Sequence, residues 1–354
     1  MRVVLFIWNN PLFLSFQIST DILNAKEKLS FSIVIPCRNE ENYIGQCIDS
    51  ILNQNYDQSL IEILIVDGES TDKTRTIVKK YIDTYKNIKL LDNPAKKTPH
   101  ALNIGVKNST GEVIVILGAH TKVDENFLFY NNKFLQEKNV KVTGGTQLNI
   151  GKTYTQNLIG LAMEMPFAMA SAKYRWSKSD QFVDTVVYAA YRKELFDELG
   201  LFEENQIISE DAEFNWRIRK AGYKIYFSPK IKTYYFPRSS IKDFIYQIFR
   251  YGILRVNVLL KHKNALKLLH FIPPLFVITL ITLLILSIFS EFWTKITLFF
   301  LAVYFAVNII SSLLHTFPKK LKYFPLLPIL VFLMHVSWGL GFLIGLINHF
   351  IKRN

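Results

Sequence analysis

Cysteine is nearly absent from this chain of 354 residues: Cys37 and Cys47 are the only two. That is too few for a disulfide framework and agrees with a reducing cytosol, so both thiols are expected to be buried and inert. Acidic residues are also scarce, 29 against 42 Lys and Arg, which leaves a net charge of +13. Charge of either sign is missing from Phe271 to Ser290 and from Ile296 to Leu314, and Tyr323 to Ile351 is broken only by histidines. Each run is long enough to cross a bilayer core, which needs roughly 20 residues. Three such runs in succession, in a chain of mean hydropathy +0.16, place the C-terminal quarter in a membrane. No recognised nucleic-acid-binding motif accompanies the basic excess, so nucleic acid is not an expected partner. A small-x-small cleavage site is missing after the apolar N-terminus, where Asn9, Asn10 and Pro11 interrupt the run. Residues 1–30 therefore read as a loosely ordered or interfacial leader rather than a signal peptide, with a fourth membrane segment as the alternative.

Lys261, Lys263 and Lys267 precede the first apolar run, and Lys319, Lys320 and Lys322 separate the second from the third. Under the positive-inside rule both clusters face the cytoplasm, and so does the bulk of the chain. The third run is ambiguous: Lys352 and Arg353 favour the inside, whereas an odd number of spans puts them outside. Pro325, Pro328, Gly339, Gly341 and Gly345 leave a broken or re-entrant segment open. Just before the first span, Ile241, Phe244, Ile245, Ile248 and Phe249 share one helical face, with Lys242, Gln247 and Arg250 elsewhere. That is the pattern of a basic amphipathic helix at a bilayer surface.

The preceding residues alternate strand and helix. Apolar strands are expected at 31–36, 61–68, 88–93 and 112–117, with helices following the first three. Alternation of this kind implies an α/β fold with a parallel sheet covered on both faces. Ligands of such sheets bind beyond the carboxyl ends of the strands. Here those ends carry Arg38 and Glu40, Asp67 and Ser70, and Gly118-Ala119-His120.

"FSIVIPCRNEENYIGQCIDSILNQ", "IEILIVDGESTDKT" and "TPHALNIGVKNSTGEVIVILGAH", in this order, resemble the successive nucleotide-binding segments of the family 2 glycosyltransferases with the GT-A fold. "ISEDAEFNWRIRKAGYKIYFSP" (208–229) resembles that family's acidic catalytic segment, and the likeness runs from about residue 31 to 255. "NPAKKTPHALNIG" (93–105), "VDTVVYAAYR" (183–192) and the trailing apolar runs bring it nearest to the membrane-attached succinoglycan-type exopolysaccharide glycosyltransferases. The resemblance implies a Rossmann-like GT-A domain over 31–237, an amphipathic interfacial region over 238–268, and about three transmembrane helices over 269–354. It also implies a multi-pass protein of the cytoplasmic membrane whose catalytic domain faces the cytoplasm. The implied activity is inverting transfer of a sugar from a nucleotide-diphosphate sugar to a lipid-linked glycan or polysaccharide acceptor. Surface or exopolysaccharide assembly is the implied context, with other assembly proteins as further partners. A polyprenyl-phosphate sugar transferase and a processive polysaccharide synthase are the neighbouring alternatives. A catalytically silent, nucleotide-binding scaffold is the alternative from another class.

By the same resemblance, Pro36, Arg38 and Glu40 wrap the nucleoside, Asp67 accepts a hydrogen bond from the base, and Asn103 is a further candidate at that edge. The family's Asp-x-Asp, whose last residue binds the cation bridging the donor phosphates, reads Gly118-Ala119-His120 here. Only His120 is carried over as a metal ligand, its imidazole favouring Mn2+ over Mg2+. Gly118 is carried over as a backbone position close to the ribose or phosphate, and Asp124 is the nearest carboxylate able to substitute. Asp211 is the implied general base, with Glu210 as the neighbour that positions acceptor or metal. A helix N-terminus, with Ser209 as its cap, favours the ionised base. Asp184 is implied to contact the acceptor or donor sugar. Gln247-Ile248-Phe249-Arg250-Tyr251 resembles the Gln-x-x-Arg-Trp element of processive members, which places Gln247 and Arg250 beside the acceptor channel and the diphosphate.

Overall fold

The structure is a computed structural model that describes residues 28–205, 210–261 and 268–351. Most of the leader, Ser209, Lys263, Lys267, Lys352, Arg353 and the side chain of Lys261 lie outside the described residues.

Strands β1 (Phe31–Cys37), β2 (Ile61–Asp67), β3 (Ile88–Asp92) and β4 (Val113–Ile116) run parallel in the order β3-β2-β1-β4. Each matches its expected span to within one residue at either end. Their nearly unbroken Val, Ile and Leu runs reflect burial on both faces. Ile33, Ile35, Ile63, Ile65 and Val115 face one core, and Val34, Leu64, Val66 and Ile114 face the other. Helix α1 (Ile44–Leu52) covers the first side with Ile44, Cys47, Ile48 and Ile51, and α2 (Thr74–Thr84) adds Val78. Helix α3 (Thr98–Asn108) covers the second side with Ala101, Leu102 and Val106. Both cysteines are buried free thiols.

Beyond β4 the expectation of a parallel sheet fails. Strand β8 (Ala190–Arg192) runs antiparallel to β4 and to β6 (Val142–Asn149), which in turn pairs parallel with β9 (Ile225–Tyr235). Strands β5 (Thr121–Val123) and β7 (Gln181–Val183) are both antiparallel to β9. The sheet is mixed, with helices α4 (Phe127–Glu137), α5 (Tyr154–Glu164), α6 (Glu194–Leu199) and α7 (Glu210–Lys220) around this second half.

Helix α8 (Ile241–Lys261) leads to α9 (Ile272–Ser287), α10 (Glu291–Thr316) and α11 (Leu327–Ile351). Three segments, Leu268–Ser287, Glu291–Thr316 and Leu327–Ile351, are long and apolar enough to cross a membrane. Their outward Phe and Leu side chains, such as Phe299 at 69 % and Leu314 at 74 % exposed, suit contact with lipid tails. The apolar face of α8 is not left to a bilayer surface. Phe244 and Ile248 are buried among Leu158 and Ile159 of α5 and Leu327, Leu330, Val331 and Met334 of α11. Nor do the glycines break α11. A Cβ at Gly341 would lie 2.1 Å from the Phe249 carbonyl oxygen, and one at Gly252 would lie 2.3 Å from that of Trp338. Glycine at both positions lets the backbones of α8 and α11 touch.

Candidate active site

The carboxyl ends of β1 and β2 adjoin, Cys37 in register with Asp67. The chain leaves β1 through Asn39, whose φ is 57°, and the Glu40 carbonyl then accepts the amides of Tyr43 and Ile44 to start α1. Hydrogen bonds lace this turn to the one after β2. The Asn39 amide donates to Ser70 Oγ at 2.9 Å, the Thr71 amide to Asn39 Oδ1 at 2.9 Å, and the Glu40 amide to Thr74 Oγ1 at 2.7 Å. Pro36 is half-buried inside β1, and the exposed Arg38 lays its stem against Gly68. Asp67 is fully buried. Its Oδ1 accepts the Ser70 hydroxyl, and its Oδ2 accepts the Ser70 amide at 3.1 Å and Arg75 Nη1 at 2.8 Å. Burial pushes this carboxyl up, but the hydrogen bonds from Ser70 and Arg75 outweigh it and hold the group below the ordinary Asp value. With both oxygens engaged, Asp67 braces the turn, and a base would reach it only by displacing one of these donors.

The next strand end carries the glycine. Gly118 sits where space is short: a Cβ there would lie 3.3 Å from Thr121 Oγ1 and 3.4 Å from the ring edge of Tyr188. Tyr188 itself is held at φ 51°, a conformation that costs a non-glycine residue about 1–2 kcal/mol and persists where surrounding structure enforces it. The His120 ring packs edge-on against Tyr235 with centroids 5.3 Å apart, and its Nδ1 lies 3.0 Å from Glu40 Oε1. A carboxylate on one imidazole nitrogen fixes the tautomer and frees the other as a lone-pair donor. Among the described residues no three His, Cys, Asp or Glu side chains gather as a metal site. Asp124 does not join His120; its Oδ2 accepts the Tyr234 hydroxyl at 3.1 Å. The pair fits one oriented ligand for a cation whose other ligands arrive with a substrate.

Glu210 and Asp211 open α7, where Asp211 Oδ1 accepts the Ala212 amide at 2.7 Å. Burial raises both carboxyls, and the nearby charge of Asp211 raises Glu210 further, to about 8. On Asp211 the upward push of burial is opposed by the Ala212 amide and by the guanidinium of Arg255 on α8. The pair titrates as a unit, and the Arg255 guanidinium favours the ionised form of Asp211. A line of neighbouring side chains joins this pair to His120. Arg255 faces Tyr174, Tyr174 lies beside Arg175, and Arg175 neighbours Tyr235, which packs on the His120 ring.

A family model described as Glycosyl transferase family 2 matches residues 32–200. A protein of Methanococcus voltae is 32 % identical over 325 residues, covering 90 % of this chain and 97 % of its own length. The chain belongs to the family 2 glycosyltransferases. The Methanococcus relative is a dolichyl N-acetyl-alpha-D-glucosaminyl phosphate 3-beta-D-2,3-diacetamido-2,3-dideoxy-beta-D-glucuronosyltransferase. The succinoglycan biosynthesis protein ExoA of Rhizobium meliloti is 26 % identical over 331 residues, 92 % of this chain and 96 % of ExoA. A mannosyltransferase of Pyrobaculum calidifontis, solved with GDP-Man and Mn2+, shares the fold at a TM-score of 0.57 and 17 % identity, covering 92 % of this chain and 93 % of that one.

Four further expected positions, Asn103, Asp184, Gln247 and Arg250, are engaged as follows. Asn103 is 3 % exposed; its Nδ2 donates to the Phe202 carbonyl and its Oδ1 accepts the Phe202 amide, both at 2.9 Å. It clasps α3 to the segment after α6 and is spent in doing so. Asp184 pairs with Arg219 of α7 at 3.1 Å, which ties the end of β7 to the helix that carries the acid pair. Arg250 is exposed over the Tyr246 ring at 6.0 Å, and Arg255 is the arginine that meets Asp211. Gln247 Nε2 donates to the Tyr251 hydroxyl at 2.8 Å. Gln247, Tyr251 and Arg255 are spaced four apart and share one helical face. That spacing is the signal by which Arg255 could have been found.

Proposed function

We propose that this transferase moves a sugar, with inversion, from a nucleotide-diphosphate donor to a lipid-linked or polysaccharide acceptor at the cytoplasmic face of a membrane, in surface glycan assembly. The observation that carries the reading is the acid pair at the start of α7, joined through Arg255 and a row of tyrosines to the His120–Glu40 edge. The donor base and ribose lie along the turns at 36–40 and 67–70, and the phosphates lie at Gly118 and His120. Asp211 takes the proton of the acceptor hydroxyl as the oxygen attacks the anomeric carbon, and the bonding pair of the departing C–O bond leaves with the diphosphate. Glu210, still protonated, orients the acceptor. His120, steered by Glu40, would hold a divalent cation, Mn2+ before Mg2+, which supplies neutralisation of the leaving diphosphate.

Three helices able to cross a membrane, with Lys319, Lys320 and Lys322 in the α10–α11 connection, support the membrane setting and its cytoplasmic orientation. Arg255 lies on α8, which packs against the span α11, so a lipid-linked acceptor in the bilayer would meet the base from a short distance. The relative named for a dolichyl phosphate acceptor supports a lipid-linked acceptor here, and ExoA supports polysaccharide assembly. The test is Asp211→Asn in the full chain: transfer is lost while donor affinity stays within a few-fold. Loss of donor binding instead would sink the base assignment, and a wild type that binds donor without turnover would favour a silent scaffold.

A further inference from the structure

Arg175 is buried, 7 % exposed; its guanidinium hydrogen-bonds Tyr174, but neither its Nε nor its Nη1 has a partner. It ends a single helical turn, Lys173–Arg175, packed against β6. Its electrostatic neighbours are all tyrosines: Tyr174, with the ring 5.2 Å away, Tyr251, Tyr235 and Tyr188. Burial pushes the phenols of Tyr188 and Tyr251 up, so they stay neutral and give the guanidinium no counter-charge. A buried cation without a paired anion is strongly unfavourable, and buried donors on a charged group call for an acceptor. The missing acceptor therefore arrives with a ligand.

Its position says which part of the ligand. Tyr235 packs on His120 and Tyr188 stands against Gly118, and both tyrosines neighbour Arg175, which puts it near the edge where the phosphates lie. Tyr174, which also neighbours Arg175, lies near Arg255, and Arg255 lies near Asp211. Between phosphate edge and base is where the transferred sugar must sit. We propose that Arg175 receives a carboxylate on that sugar, making the donor a nucleotide-linked uronic acid. This rests on the transfer reading above and names its donor class. A neutral hexose would leave the guanidinium buried and unmatched, and sites with unmatched polar groups reject such analogues strongly.

The test uses the full chain in detergent and reads binding, so it does not depend on turnover. UDP-glucuronate is titrated against UDP-glucose, GDP-mannuronate against GDP-mannose, and UDP and GDP alone, on the wild type, Arg175→Gln and Arg175→Lys. The expected result is that one acidic donor binds at least ~30-fold more tightly than its neutral partner. Arg175→Gln removes that preference and leaves nucleoside-diphosphate affinity within about twofold, while Arg175→Lys keeps part of the preference. Should Arg175→Gln fold poorly, the wild-type preference and the Lys variant still decide. Equal wild-type affinity for acidic and neutral donors, or no binding of either acidic donor, overturns the proposal. So does a loss of affinity for the diphosphate alone in Arg175→Gln, which would put the guanidinium on the phosphates. Transfer of a neutral sugar with no acidic preference would refute the donor class and leave the transferase reading standing. Tight acidic-donor binding with no transfer would do the reverse.

Discussion

Replacing Arg255 by Met should displace the pH profile of transfer rather than simply lower it. In the wild type, burial pushes Asp211 up, while the Ala212 amide and the Arg255 guanidinium push it down. A cation close to a carboxyl lowers its pKa by roughly 1–3 units. Taking about 2 for a partly exposed guanidinium, its removal disfavours the ionised base by ~2.7 kcal/mol. The acid limb of kcat/KM then moves to higher pH by about the same 2 units, and the rate on the acid side falls ~100-fold. Above the new limb the variant recovers, because the base is again ionised. Arg255→Lys, which keeps a cation nearby, should show a smaller displacement. The assay is kcat/KM for the donor from about pH 5 to about pH 9.5 on all three proteins. An equal loss at every pH would refute the reasoning and place Arg255 on the substrate instead of on Asp211. An unchanged profile would show that the two groups are not coupled.

Glu210 gives a stability test of the same pair. Its proton is held more tightly in the folded chain, at about 8, than at the ordinary 4.5. Its contribution to stability is therefore complete below the ordinary value and lost as pH rises through about 8, on the order of a few kcal/mol over the window. Glu210→Gln should flatten the fall of the thermal midpoint with pH between those limits, and an unaltered slope would contradict the buried acid. At the other end of the cleft, His120→Ala should abolish the gain in donor affinity on adding Mn2+, and Glu40→Gln should weaken that gain about tenfold by freeing the ring. Isothermal titration with and without the metal reads both, and an undiminished metal response in His120→Ala would remove the ligand role.

The half of the fold that was legible in the sequence is the half whose strands are buried on both faces. Ile33 to Ile35 and Ile63 to Val66 are unbroken apolar runs because helices cover both sides of β1 and β2. Strands β5, β7 and β8 have three residues each, too few to display a period, so the antiparallel half could not be read. The site divides in a similar way. Glu40, Asp67, His120, Glu210 and Asp211 stand at strand ends and a helix start, positions that a local reading of the sequence marks. Asn103 was misread because its partner, Phe202, lies 99 residues away. Arg255 was missed because a motif read at fixed spacing stopped at Arg250, whereas a helix presents its face every fourth residue. Arg175 follows no strand and opens no helix; only the packing of tyrosines around it makes it conspicuous.

Helix α8 is where the membrane and the chemistry meet. One face carries Tyr251 towards Arg175 and Arg255 towards Asp211. A second contact is backbone against backbone, Phe249 on Gly341 and Gly252 on Trp338, the kind of close fit that fixes a helix in register. The angle at which α8 reaches the acid pair is thus set by α11 and not by the sheet alone. A cut after residue 237 would keep every described strand and both carboxyls but lose the guanidinium that opposes the upward push of burial on Asp211. Helix α8, packed on an apolar helix long enough to cross a membrane, is thus part of what sets the charge of the acid pair.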